Sequence, residues 1–142
     1  MARRARRKRP IRKEAPPRRL ILDSGAVLAW ARGETRPRAL LARALELSMD
    51  IRIPVAVLAE TLRGGPRDAP IHRVRNTIDV FPADEGVGRL AGALLGRTGG
   101  TNTVDALVAA EALIARADVL TSDADDLNAL LAGHREVRVI EV

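Results

Sequence analysis

The sequence contains no cysteine, and this absence excludes several kinds of site. Disulfides, thiolate zinc centres and cysteine nucleophiles all require a thiol. The two histidines, His72 and His134, are far apart in sequence and outside any metal-binding spacing, so we expect both at the surface. A metal site in this chain would have to consist of oxygen ligands.

Aromatic side chains and long apolar runs are also scarce. Trp30 and Phe81 are the only aromatic residues, which argues against a module that binds single-stranded nucleic acid by stacking its bases. No apolar run approaches the length of a membrane span, and no signal-peptide pattern follows the basic start of the chain. We therefore expect a soluble, cytoplasmic protein.

The net charge of +6 comes from the first residues of the chain. Residues 1–19 hold ten of the 24 Lys and Arg residues but only one of the 18 acidic residues, so residues 20–142 are net negative. A basic segment of this kind attracts phosphate backbones without reading their sequence, although most such runs are solvated tails. We expect residues 1–19 to form a basic, disordered extension and residues 20–142 to form one domain.

From residue 20 onward, short apolar runs typical of strands alternate with longer runs of helical periodicity. The pattern predicts strands over 20–23, 51–54, 78–81, 118–121 and 137–141. It predicts helices over 24–32, 36–48, 54–63, 69–77, 84–97, 103–116 and 124–132. Strands separated by helices predict βαβ units and a parallel sheet that is covered on both faces.

Two of the predicted strands deliver an aspartate at their carboxyl end. Asp23 ends the strand over 20–23, and Asp123 follows the strand over 118–121. Ligands of a parallel α/β sheet bind beyond the carboxyl ends of its strands, so both carboxylates are expected at one crevice. Asp23 alone is equally well explained as a helix N-cap, unless Ser24 takes that role.

Glu60 lies on an apolar turn of its predicted helix, where a carboxylate needs a partner. Arg63 could form an ordinary ion pair with it, or could point along the same face towards a substrate phosphate.

Asp105 begins an almost wholly apolar helix, where a buried carboxylate is costly unless it is paired or binds a cation. Capping of that helix is left to better candidates, namely Thr101, Asn102 and Thr103.

Three acids crowd the first turn of the helix predicted over 124–132. Asp123 lies nearest the strand end and is the candidate for the site, Asp126 is an accessory candidate, and Asp125 is expected to face solvent. Thr121 could orient a neighbouring carboxylate or a water through its hydroxyl. Capping needs one or two of these acids rather than three.

Each acid has an ordinary explanation by itself, but their joint position has a chemical consequence. Four carboxylates in one crevice repel one another and take up protons unless a divalent cation neutralises them. Oxygen ligands alone select Mg²⁺ or Mn²⁺, and such a site can activate water for attack on a phosphodiester. The sequence thus predicts a metal-dependent nuclease whose catalytic residues and metal ligands are Asp23, Glu60, Asp105 and Asp123.

In this order the residues resemble the PIN-domain ribonucleases, and especially the toxins of VapBC-type toxin–antitoxin modules. The resemblance rests on LILDS at 20–24, VLAE at 57–60, TVDALVA at 103–109 and VLTSDADDL at 119–127. It implies a three-layer α/β/α sandwich with a central, mainly parallel sheet, and the four acids gathered around Mg²⁺ or Mn²⁺. It also implies endonucleolytic cleavage of RNA that leaves a 5′-phosphate and a 3′-hydroxyl, a homodimer, and inhibition by a cognate antitoxin. The Arg-rich residues 1–19 depart from the family pattern, because its members usually begin within a few residues of the first strand.

Two alternatives stay open from the sequence. Haloacid-dehalogenase-like phosphatases also begin with a strand that ends in aspartate, but they place a second aspartate where this chain has Gly25, and no lysine follows Lys13. The other alternative is a catalytically inactive PIN-like module that binds nucleic acid or protein. In such a module the acids would serve as helix caps.

Overall fold

The computed structural model describes residues 18–142, which form a layered α/β domain. In chain order the elements are β1 (Arg19–Leu22), α1 (Ser24–Ala31), α2 (Thr35–Glu46), β2 (Asp50–Pro54), α3 (Val55–Thr61), a short 3-10 helix (Pro66–Asp68), α4 (Ala69–Arg75), β3 (Asp79–Phe81), α5 (Glu85–Thr98), α6 (Thr103–Ala115), β4 (Ala117–Thr121), α7 (Asp125–Leu130) and β5 (Val139–Glu141). Every predicted strand and helix is present, with ends that differ by one or two residues.

The five strands form one sheet in the order β3-β2-β1-β4-β5, and every pairing in it is parallel. This confirms the predicted sandwich with a central parallel sheet. The chain builds outward from β1 to β3 on one side and then crosses to β4 and β5 on the other. The order of strands therefore reverses between β1 and β4, and in open α/β sheets ligands bind beyond the carboxyl ends of the strands at such a point.

The core lies around β1 and α6. The apolar residues of β1, from Leu20 to Leu22, are at most 4% exposed, as expected for a central strand that is covered on both faces. α6 contributes a series of buried alanines, and it contacts α3, α5, α7, β1 and β4. Small side chains let this helix lie close to its neighbours, and its first turn therefore reaches the carboxyl edge of the sheet.

One buried acid of α6 lies outside the predicted site. Glu111 is only 7% exposed and is the one acid among the buried residues of this helix. The pKa of Glu111 is raised to about 7, mainly by burial. The positive charge of Arg52 opposes this rise, and the negative charge of Asp84 makes a smaller contribution to it. The apolar run around it gave no reason to expect a titratable core residue.

The predicted basic extension lies outside the described residues except for its last two, Arg18 and Arg19. β1 begins at Arg19, one residue earlier than expected, and the division of the chain at residue 19 stays a prediction. Of the predicted surface histidines, His72 is exposed and His134 is half-buried beside Arg97 and Glu136. Between residues 18 and 142 no helix combines the length and apolarity needed to cross a bilayer.

Candidate active site

A pocket of about 320 Å³ opens where the carboxyl ends of β1 and β4 meet the first turn of α6. The acids that line it are the four that the sequence singles out, together with the accessory candidate: Asp23, Glu60, Asp105, Asp123 and Asp126. Asp125 does not line the pocket and is exposed, as expected. Tertiary structure thus brings together carboxylates from four separate segments of the chain.

Asp23 is both a helix cap and a pocket residue. One carboxylate oxygen accepts from the backbone N–H of Ser24 at 2.7 Å, and the other accepts from the Thr121 hydroxyl at 2.8 Å. The residue is only 7% exposed, and this burial raises its pKa despite the two hydrogen bonds, with smaller contributions from Glu60 and Asp123. The interpretation in which Ser24 replaces it as the cap of α1 is wrong.

Glu60 reaches the pocket from α3, where its partner is a hydroxyl. The side chain of Ser24 donates a hydrogen bond to the Glu60 carboxylate. Arg63 does not pair with Glu60, because its guanidinium donates to the carbonyls of Ala59 and Leu62. The ion pair considered from the sequence is therefore absent, and Glu60 remains a half-buried carboxylate beside Asp23.

Asp105 enters from the first turn of α6 and is the most perturbed acid of the pocket. Asn102 caps the helix by accepting from the backbone N–H of Asp105 at 3.1 Å, so the Asp105 carboxylate is not needed as a cap. Burial is the largest cause that raises the pKa of Asp105 to about 6, and the negative charges of Asp23, Asp126, Glu60 and Asp123 contribute to the same rise in that order. A carboxyl in this state favours a cation beside it.

Thr121, the last residue of β4, holds the backbone of Asp123 and is only 1% exposed. The Thr121 hydroxyl lies between the Asp23 carboxylate and the backbone of Asp123, accepting from the Asp123 N–H at 3.1 Å. One carboxylate oxygen of Asp123 accepts from the N–H of Asp125 at 3.3 Å. Thr121 therefore orients Asp23, as the sequence suggested, and also ties the two strand ends together.

Gly25 is a site residue that sequence reasoning missed. A Cβ at this position would lie 1.9 Å from the Ser122 hydroxyl oxygen and 3.1 Å from the Ser122 backbone nitrogen. The first turn of α1 therefore touches the loop after β4, and only glycine permits that approach. Gly25 is the second residue of α1, and a glycine this early in a helix is the one signal in the sequence that could have indicated this contact.

The chemistry of the pocket fits a hard divalent cation. The charged residues that line it in the described part of the chain are all carboxylates, and burial followed by mutual repulsion raises the pKa values of Asp23 and Asp105. Within residues 18–142 no three acidic or histidine side chains already converge on one point as ligands would. Repulsion separates carboxylates that have no counter-charge, so side-chain rotation has to accompany cation binding.

The fold and this acidic crevice define an α/β domain with a polar site at the reversal of strand order. A family model described as PIN domain matches residues 20–130. The chain therefore belongs to the PIN domain family, as its motifs predict. The match removes the dehalogenase-like alternative. A comparison with curated proteins found no match.

Solved structures with the same fold include several toxin–antitoxin complexes. VapBC2 from Rickettsia felis, bound to a DNA fragment from its promoter, gives a TM-score of 0.70 at 13% identity over 87% of this chain and 98% of that chain. A toxin–antitoxin complex from Klebsiella pneumoniae gives 0.66 at 17% identity over 87% and 99%. VapBC-5 from Mycobacterium tuberculosis gives 0.60 at 24% identity over 89% and 100%. This chain is thus similar in fold to chains of VapBC-type systems.

Proposed function

We propose that the protein is a Mg²⁺- or Mn²⁺-dependent endoribonuclease and the toxin component of a toxin–antitoxin system. The observation that carries this proposal is the set of five carboxylates in one pocket at the strand reversal of a PIN domain. Among the described residues no cysteine, histidine or lysine lines this pocket, which supports water, rather than a thiol, imidazole or amine of the chain, as the nucleophile that hydrolyses a phosphodiester. The predicted roles of Asp23, Glu60, Asp105 and Asp123 as metal ligands and catalytic residues remain part of this proposal.

In this mechanism Asp23 and Asp105 are the principal ligands, and Glu60 and Asp123 complete the set or position the attacking water. A bound divalent cation would lower the pKa of water and offset the charge of the scissile phosphate. Thr121 holds the Asp23 carboxylate through its hydroxyl, and Ser24 holds Glu60. Attack of water on the phosphorus in line with the 3′ oxygen would break the bond between phosphorus and that oxygen, and so leave a 5′-phosphate and a 3′-hydroxyl.

The partners we propose are an RNA substrate, a cognate antitoxin protein and a second copy of the chain, all in the cytoplasm. The antitoxin is supported by the similar structures from Rickettsia felis, Klebsiella pneumoniae and Mycobacterium tuberculosis, which are toxin–antitoxin systems. The competing function is an inactive PIN module. The capping role of Asp23, and the lack of three convergent ligands within residues 18–142, favour that alternative.

Cleavage of a labelled RNA pool separates the two functions. We expect wild-type protein to cut RNA in Mg²⁺ or Mn²⁺ and to stop in EDTA, and Asp23→Asn to be inactive with both ions. Asp125→Asn is the matched control, because it removes an equivalent charge outside the pocket and should retain activity. Equal cutting by Asp23→Asn and wild type, or cutting that persists in EDTA, would contradict the metal-nuclease mechanism. Tight binding of RNA or protein without any cleavage would favour the inactive module.

A further inference from the structure

The amino edge of the sheet, opposite the acidic pocket, carries a cluster of arginines. They surround a depression of about 300 Å³ and are Arg18, Arg19, Arg116, Arg135 and Arg138. We call these five residues the arginine edge. Arg18 and Arg19 lie at the start of β1, Arg116 directly precedes β4, and Arg135 and Arg138 precede β5. Three neighbouring parallel strands thus begin within one basic surface.

The acids in this surface do not neutralise it. Asp118 is held by Arg138, whose guanidinium donates to it at 2.7 Å, and Glu136 lies 3.4 Å from the His134 ring. Arg18, Arg116 and Arg135 are exposed and have no acidic oxygen within 4 Å among the described residues, although Arg116 is near enough to Glu136 to lower the pKa of that acid. Three guanidinium groups are therefore available to an anionic partner.

The arginine edge is a separate surface from the pocket. All five strands run in the same direction, so their amino and carboxyl ends lie at opposite edges of the sheet. A strand of five residues such as β4 places the two edges roughly 15 Å apart. A group bound at one edge would not contact the reacting phosphate at the other.

The sequence that leads into this surface has the same charge. Residues 1–17 contain eight Lys or Arg residues and one acid, and they join the described chain at Arg18, within the arginine edge. Several exposed arginines spread over one surface suit a chain of phosphates better than a single small anion, because each can neutralise a different phosphate. The scarcity of aromatic residues leaves base stacking out of such binding.

We propose that the arginine edge binds the phosphodiester backbone of RNA without reading its sequence, and so holds a part of the strand away from the acidic pocket. The choice of RNA as the occupant rests on the proposed function. The binding itself does not require cleavage or a metal. In the absence of a divalent cation the pocket repels RNA, and binding then depends on the basic parts of the chain, to which the arginine edge contributes.

Binding of a labelled RNA of about 30 nucleotides to the full chain in EDTA tests this inference over a range of salt concentrations. The variant is Arg116→Asn with Arg135→Gln, because Arg116 has a φ of 52° and asparagine tolerates that conformation. The control is Arg36→Gln with Arg38→Gln, which removes two exposed arginines of α2 that have no ion pair among the described residues. Thermal unfolding checks that all three proteins are folded.

We expect the Arg116/Arg135 variant to bind RNA about three- to tenfold more weakly at low salt. The slope of log Kd against log salt should fall by about 1.4, since each lost contact with a single-stranded phosphate removes about 0.7. Equal affinity and slope in variant and wild type, or the same loss in the α2 control, would overturn the inference. Wild-type protein that binds RNA through this surface yet cuts none in Mg²⁺ would support it and contradict only the nuclease.

Discussion

The two edges of the sheet carry opposite charges, and they differ in exposure: the acids at the carboxyl edge share a pocket, whereas most of the arginines at the amino edge are exposed to solvent. At the carboxyl edge, β1 and β4 deliver Asp23 and Asp123 into a pocket where burial and repulsion raise the pKa values of Asp23 and Asp105. At the amino edge, the same strands begin beside Arg19 and Arg116, on a surface that is mostly exposed. Water screens the exposed arginines, so like charges cost little there. The acids in the pocket, in contrast, repel one another, so a bound cation would stabilise their ionised form.

The largest expected effect comes from Asp105→Asn, which should separate stability from activity at the carboxyl edge. RNA cleavage should fall by about a hundredfold or more because a proposed ligand is lost. The pKa of about 6 in the folded chain lies above the usual 3.8, so the stability of the metal-free fold falls as the pH rises from 3.8 through 6. The melting temperature in EDTA at pH 8 should therefore rise, and this gain should shrink as the pH falls towards 4. A lower melting temperature at pH 8 would show that Asp105 is not repelled in the folded chain.

A second change tests the close contact between Gly25 and Ser122, which both line the pocket. Gly25→Ala should destabilise the protein by about 1–3 kcal/mol, because its Cβ would overlap the Ser122 side chain. Adding Ser122→Gly removes the closest atoms and should restore part of the loss. Gly92→Ala, with nothing within 4 Å of the new Cβ, is the matched control and should stabilise α5 by about 0.5–1 kcal/mol. Denaturant unfolding measures all four proteins, and a neutral Gly25→Ala would contradict the close approach.

The third change concerns Glu111, which lies on α6 outside both charged edges. Its folded pKa of about 7 exceeds the ordinary 4.5, so the folded chain binds the additional proton and stability falls as the pH rises from 4.5 through 7. Glu111→Gln should match wild type at pH 4.5 and exceed its free energy of unfolding by about 3 kcal/mol at pH 8. The exposed Glu46→Gln is the control. A stability difference that does not change with pH would show that Glu111 is not desolvated in the folded chain.

The smallest effect is expected at the arginine edge. Asp118→Asn removes the acid that holds Arg138, and it should strengthen RNA binding in EDTA by about two- to threefold at low salt. Cleavage of RNA in Mg²⁺ should stay intact, whereas loss of a carboxylate at the pocket should abolish it. Unchanged or weaker RNA binding by Asp118→Asn would remove the proposed contrast between the two edges.

Much of the fold was predictable because its signals are local. Apolar runs separated by helical periodicity predicted every strand and every α-helix of the described chain, though not the 3-10 helix Pro66–Asp68, and the motifs around Asp23 and Asp105 indicated the PIN family. The capping of α6 by Asn102 was among the predicted choices and is confirmed. The partner of Glu60 was not predictable, because Ser24 is distant in sequence and reaches Glu60 only when α1 packs against α3.

The sequence by itself determined the order of elements, the types of ligand available and the excess of positive charge in residues 1–19, because composition and periodicity fix these. Only the tertiary structure decided which charges meet. Parallel pairing around β1 gathers the acids at one edge and the arginines at the other, although both sets are dispersed along the chain. It also decided that Glu111 is buried and that Gly25 touches Ser122, because both depend on how closely helices pack against distant loops and strands.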